Sequence, residues 1–175
     1  VRGKSACTII RNQVFGHLHA NVELTANCEP TLSENKIHHG KQAGIWIKQY
    51  TKPIIVNNEI FDHEHPNVCI YGGSFTRLEG NRIYNGKQSG ILFKEQAKGL
   101  IINNYIYQND NVNIKVSGSA CPVIQQNKIF KGKKGGILVK EYAKGEISNN
   151  NIYDNKGEPI FVHLLTAAPV VGSNI

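Results

Sequence analysis

The chain has 175 residues, 40% of them hydrophobic and 19% charged, with a formal charge of +7 at neutral pH. That is enough apolar material for one sizeable domain, and no run reaches the roughly 18 apolar residues that a membrane-spanning helix needs, so no membrane partner is expected. The cationic excess is mostly lysine, with only Arg2, Arg11, Arg77 and Arg82 as guanidinium groups, which argues against a nucleic-acid reader and points to acidic partners.

The chain opens on Val1, with no basic stretch leading into an apolar leader, and is expected to be a single-domain piece, residues 1–175, of a longer protein. Cys7, Cys28, Cys69 and Cys121 form no CxxC pair and no compact framework. Neither a zinc module nor a disulfide scaffold is expected, and reduced thiols suit an intracellular protein, cytoplasmic or nuclear. No cofactor is implied.

From the N-terminus, short strands are predicted around Ile9, Val14 and Val22 to Leu24. The same set returns around Leu32, Ile37 and Ile45 to Ile47, then around Ile55, Ile60 and Val68 to Ile70, and so on to Ile147, Ile152 and Ile160. Asn12, Asn35, Asn58, Asn81, Asn104, Asn127 and Asn150 mark the period, 23 residues apart each time. The Val14 column continues at this spacing to Ile175. These are β-branched alternations punctuated by Asn and Gly, and no stretch keeps a helical period. A unit of three short strands cannot bury its apolar face alone, but stacked units place each column above itself about 4.8 Å apart. The expected fold is therefore all-β, a right-handed parallel β-helix of about seven coils.

Three further features belong to the same stack. The Asn column suits a left-handed turn residue whose amide bonds its copies above and below, and Phe15, His38, Phe61, Tyr84, Tyr107, Phe130 and Tyr153 are expected to stack as rings. Lys41, Glu64, Lys87, Asp110, Lys133 and Lys156 in one column, with Lys36, Glu59 and Arg82 in another, read as charge ladders. A second period of 46 is overlaid: "GIWIKQYTK" at Gly44 returns as "GILFKEQAK" at Gly90 and "GILVKEYAK" at Gly136, so alternate coils are of two kinds.

At "TLSENKIHHGKQAGIWIK" and "CPVIQQNKIFKGKKGGILVK" the sequence resembles the parallel β-helix region of F-box proteins of the F-box-only-protein-eleven type. There, coils of Asn-Pro-x-x-x-x-Asn-x-Ile and Asp-Gly-x-x-x-Gly-Ile alternate in pairs. The resemblance runs from about Cys7 to Val162. It implies the substrate-recruiting domain of a ubiquitin-ligase subunit, with protein substrates as partners. The same repeat occurs in carbohydrate-binding and sugar-hydrolysing β-helices, which implies a carbohydrate-active module as the alternative.

With Ile45 and Ile47 pointing inward, Trp46 and Lys48 point out, and the same columns hold Tyr71, Leu92, Lys94, Leu138 and Lys140. An apolar and aromatic stripe beside a row of ammonium groups suits acidic or phosphorylated peptides, and these seven residues are the expected partner-binding face. His17, His19, His39, His63 and His65 fall at nearly one turn, which makes His39, His63 and His65 candidate metal ligands against the alternative of loop histidines in solvent. Carboxylates are scattered: Asp62 and Asp154 lie four coils apart, Glu64 and Asp110 are separated by Lys87, and Glu95 and Glu141 by Gly118. Ion-pair ladders and solvated turns account for them, so no catalytic residues and no enzyme are expected. Strand edges at the ends of the stack would invite end-to-end self-association.

Overall fold

The computed structural model describes residues 1–163 and 167–175, and among these it contains strands and turns but no helix. The Ile9 column forms an eight-stranded sheet from Thr8–Ile10 to Val170–Val171. The Val14 column forms a second sheet of seven strands, Gln13–Phe15 to Asn151–Tyr153, and the Val22 column a third of seven, Val22–Leu24 to Ile160–Val162. Every neighbouring pair is parallel, with Ile9 opposite Leu32, Val14 opposite Ile37 and Val22 opposite Ile45. The sheets thus wrap one core as a parallel β-helix. Its interior is the set of predicted columns: Ile45, Ile47, Ile55, Ile60, Ile83, Ile91, Phe93 and Ile114 are all fully buried.

The last coil departs from the period. Val170 pairs with Glu146, 24 residues before it, and the Asn ladder ends on Asn174. Ile175, expected to continue the Val14 column, is 90% exposed instead. One extra residue in this coil makes the spacing 24, so Val171 and Asn174 fill the columns of Ile147 and Asn150, and Ile175 falls opposite Asn151 instead of Ile152.

The Asn ladder is built as expected in its hydrogen bonds. The Asn58 amide nitrogens, backbone and side chain, both donate to Asn81 Oδ1 at 2.8 and 3.0 Å, and Asn81 repeats this on Asn104 at 2.9 and 3.0 Å. The left-handed residue is not the ladder Asn but the one before it, with φ of 55° at Arg11, Glu34 and Asn57. A left-handed residue turns the chain from the first sheet to the second, and the buried Asn then satisfies the polar backbone exposed at that corner.

The period of 46 has a separate cause inside the second corner. Asn21 Nδ2 donates to His63 Nε2 at 3.2 Å, His63 Nδ1–H donates to Asn67 Oδ1 at 2.7 Å, and Asn67 Nδ2 donates to Asn109 Oδ1 at 3.1 Å. Asn109 Nδ2 then donates to Asn113 Oδ1 at 2.8 Å, and Asn113 Nδ2 to Asn155 Oδ1 at 3.0 Å. Each second coil contributes a polar pair, and the coil between contributes only glycine. A Cβ at Gly86 would lie 2.8 Å from Asn67 Nδ2, and one at Gly90 2.7 Å from Asn109 Nδ2. The side chains of one coil type fill the space that the other leaves.

Candidate functional site

The outer face of the third sheet is set by strand alternation. Its central outward column reads Glu23, Trp46, Cys69, Leu92, Lys115, Leu138 and Phe161, residue opposite residue along the sheet. Just beyond the strands runs a second column, where Lys48, Tyr71, Lys94, Ser117 and Lys140 each donate a backbone N–H to the preceding coil. The sequence-predicted stripe is therefore one surface, but it is interrupted. Cys69 separates Trp46 from Leu92, and Lys115 separates Leu92 from Leu138.

Trp46, Tyr71 and Leu92 are brought together around a cavity of about 250 Å³ that also touches Cys69, His65 and Gln88. The Trp46 and Tyr71 rings sit 6.3 Å apart at a tilt of 53°. An adjoining trough of about 410 Å³ extends from Trp46 and Tyr71 over Lys48, Gly72 and Glu95. Leu138 and Lys140 stand further along the face, outside both.

Electrostatics divide the lysines. Lys48 pairs with Glu23 at 3.0 Å and lies over the Trp46 ring at 4.8 Å, and Lys140 contacts Glu141. Lys94 has no ion-pair partner among the described residues. Lys115 is half-buried, and burial, together with Lys140 and Lys94 nearby, pulls its ammonium below the ordinary lysine range. Among the described residues Lys94 and Lys115 are thus the lysines of this face without an ion pair, while Glu141 offsets Lys140. Burial pushes the Tyr71 phenol and the neighbouring Cys69 thiol each up to about 12. At neutral pH both stay protonated, so Tyr71 presents a phenol that can donate a proton or a hydrogen bond. His65, exposed at the other end of the strand Val68–Ile70, supplies an imidazole to the same cavity.

The three histidines considered as metal ligands do not converge. His63 is fully buried in the amide chain, which pushes it down to about 4, chiefly through burial. His39 lies at the corner, 2.6 Å from His38 between Nδ1 atoms and 3.6 Å from Asp62. His65 belongs to the Trp46 cavity. Among the described residues no group of three or more His, Cys, Asp or Glu could hold a metal ion. Cys69, Lys115 and the placement of His65 were missed from the sequence. The 23-residue spacing from Trp46 and Leu92 leads to the first two, but only the folded corner brings His65 to the cavity.

The model of the right handed beta helix region matches residues 1–97 and 64–175, which together span the chain. The chain belongs to that family. No curated protein matches this β-helix. Among solved structures it is similar to a double mutant of the periplasmic alginate epimerase AlgG, with a TM-score of 0.79 and 14% identity over 97% of this chain and 50% of that one. It is similar to a single mutant of the same enzyme at 0.80 and 16%, covering 96% and 44% of the two chains. The Azotobacter vinelandii mannuronan C-5 epimerase AlgE6 A-module matches at 0.76 and 12%, covering 97% and 58%. The β-helix spans about half the length of these structures. At such identities the likeness shows the fold. None of the three is an F-box protein. They also overturn the expectation that the chain is no enzyme: that expectation rested on scattered carboxylates, yet the structures sharing its fold are enzymes.

Proposed function

We propose that this β-helix is part of a carbohydrate-active protein whose substrate is an acidic polysaccharide lying along the outer face of the third sheet. The observation that carries this is the Trp46 cavity. It has an apolar floor for a sugar ring and two groups able to move protons, His65 and Tyr71, at the two ends of one strand, while the cations Lys94 and Lys115 stand further along the same face. In a uronic acid the hydrogen beside the carboxylate is removed only if the developing negative charge is stabilised, which nearby ammonium groups can do. An imidazole can take that proton and a phenol can return one. The likeness in fold to alginate epimerases supports this class of substrate.

The test is incubation with a polyuronate in heavy water, with proton exchange beside the carboxylate followed by NMR. Exchange by the wild type, lost in His65→Ala and in Tyr71→Phe, is expected. Binding of neutral glucan as tightly as polyuronate, or exchange unaffected by both variants, would overturn the assignment. A second reading follows from the resemblance to F-box proteins: the same lysines and rings would take an acidic or phosphorylated peptide of a protein substrate. Capture of phosphopeptide but not polyuronate would favour it.

A further inference from the structure

We propose that the corner between the second and third sheets carries a separate groove for an acidic polysaccharide, held by Lys87, Lys131 and Lys156; the ligand class rests on the function proposed above, the site does not. A trough of about 390 Å³ runs along this corner, lined by these three lysines, Lys133, Asp62 and Asp110. It adjoins another of about 500 Å³, sharing Gln108 and Lys131, that adds Arg82, Tyr105 and Tyr107.

The charge pattern along the corner changes where the groove begins. In the earlier coils cations are matched to anions, Lys36 with Glu59 at 4.0 Å and Lys41 with Glu64 at 3.6 Å. In the groove only Lys133 has such a partner, Asp110 at 2.8 Å, and among the described residues Lys87, Lys131 and Lys156 have none. Lys133 and Lys156 also follow one another in the same column of this turn, like charges on adjacent coils with Asp110 paired to the first alone, so that, among the described residues, Lys156 is left without an anion. A bound carboxylate would supply that anion.

The remaining lining selects among polyanions. Asp62, Asp110, Gln108 and the tyrosine hydroxyls offer hydrogen-bond partners to sugar hydroxyl groups. A single-stranded nucleic acid would need open ring faces for its bases. Here the faces are taken: Tyr84, Tyr107 and Phe130 stack on one another with centroids 4.9 Å apart, and Lys128 lies over Tyr105 at 5.2 Å. A hydroxyl-rich, carboxylate-bearing chain fits what is left.

Calorimetry with a short oligouronate tests this, with circular dichroism confirming that each variant keeps the β-fold. The wild type is expected to bind at two sites. Lys87→Glu, Lys131→Glu and Lys156→Glu together should weaken one of them at least about tenfold, and Lys94→Glu with Lys140→Glu the other. Binding unchanged by the first set but lost with the second would overturn the corner groove and leave the third-sheet site standing. Loss with the first set alone would retain the groove and remove the other site. No binding of oligouronate by the wild type would overturn both, and tighter binding of duplex DNA than of oligouronate at physiological salt would overturn the ligand.

Discussion

The imidazole of His63 occupies the space that a side chain at Gly44 would need: a Cβ there would come within 2.6 Å of His63 Cε1 and 2.7 Å of the Asn67 carbonyl oxygen. The second contact is with backbone, which cannot rotate away. Gly44→Ala should therefore destabilise the fold by about 1–3 kcal/mol, as overpacking of interiors does. Urea denaturation measures it, and a change under about 0.5 kcal/mol would show that the corner relaxes freely.

His63 also makes the stability of the fold depend on pH. It accepts a hydrogen bond from Asn21 at Nε2, so its protonated form would set donor against donor, and burial already pushes it from 6.5 down to about 4. An unfolded chain takes up this proton more readily than the folded one. The stabilising contribution is therefore complete above about pH 6.5 and falls as pH drops towards about 4, by on the order of 3 kcal/mol. His63→Asn should flatten this window, because Asn109 and Asn155 hold the equivalent places in later coils. An unchanged pH profile of denaturation midpoints in the variant would assign the acid sensitivity elsewhere.

The fold could be read from the sequence because its columns repeat without interruption from Ile9 to Ile147, and stacking turns a column directly into a sheet position. The corner polar chain could not, since Asp62, Glu64 and His65 around His63 are all polar, and a polar run looks like a solvated loop. The signal was present in the alternation of Gly40, His63, Gly86, Asn109 and Gly132 at 23-residue spacing, read there as two coil types but not as one filling the other's space. On the third sheet, alternation placed Trp46 and Leu92 outward correctly. It said nothing of which lysines are already neutralised, because Glu23 and Glu141 reach Lys48 and Lys140 from neighbouring positions.

Asn81 tests the ladder at the first corner. It is fully buried, and its Oδ1 accepts from Asn58 at 2.8 and 3.0 Å while its Nδ2 donates to Ile55 O at 2.8 Å. Asn81→Ala would leave buried donors and an acceptor without partners, each costing about 1–3 kcal/mol. Asn12→Ala, at the exposed first coil where water replaces the amide, should cost much less. Equal losses in thermal or urea denaturation would mean that the ladder adds nothing beyond burial.

The lysines of the third sheet give the sharpest contrast in binding. Lys94 is exposed, close to Lys115 and Lys140, and has no carboxylate paired with it, whereas Lys41 sits at another corner 3.6 Å from Glu64. Reversing Lys94 places a negative charge near Lys115 and Lys140, where an acidic ligand would arrive on this face. Reversing Lys41 sets two carboxylates together, a local cost to a surface ladder worth roughly 0–1 kcal/mol, and leaves the face untouched. With the corner groove removed by Lys87→Glu, Lys131→Glu and Lys156→Glu, Lys94→Glu should therefore weaken polyuronate binding at the third-sheet site by about tenfold or more, while Lys41→Glu changes it by less than about twofold. Both variants should unfold within about 0.5–1 kcal/mol of wild type, since each alters an exposed side chain. Fluorescence anisotropy with a labelled oligouronate at fixed salt separates the two. Equal weakening by both would reduce the effect to net charge, and the third-sheet face would lose its claim to the ligand.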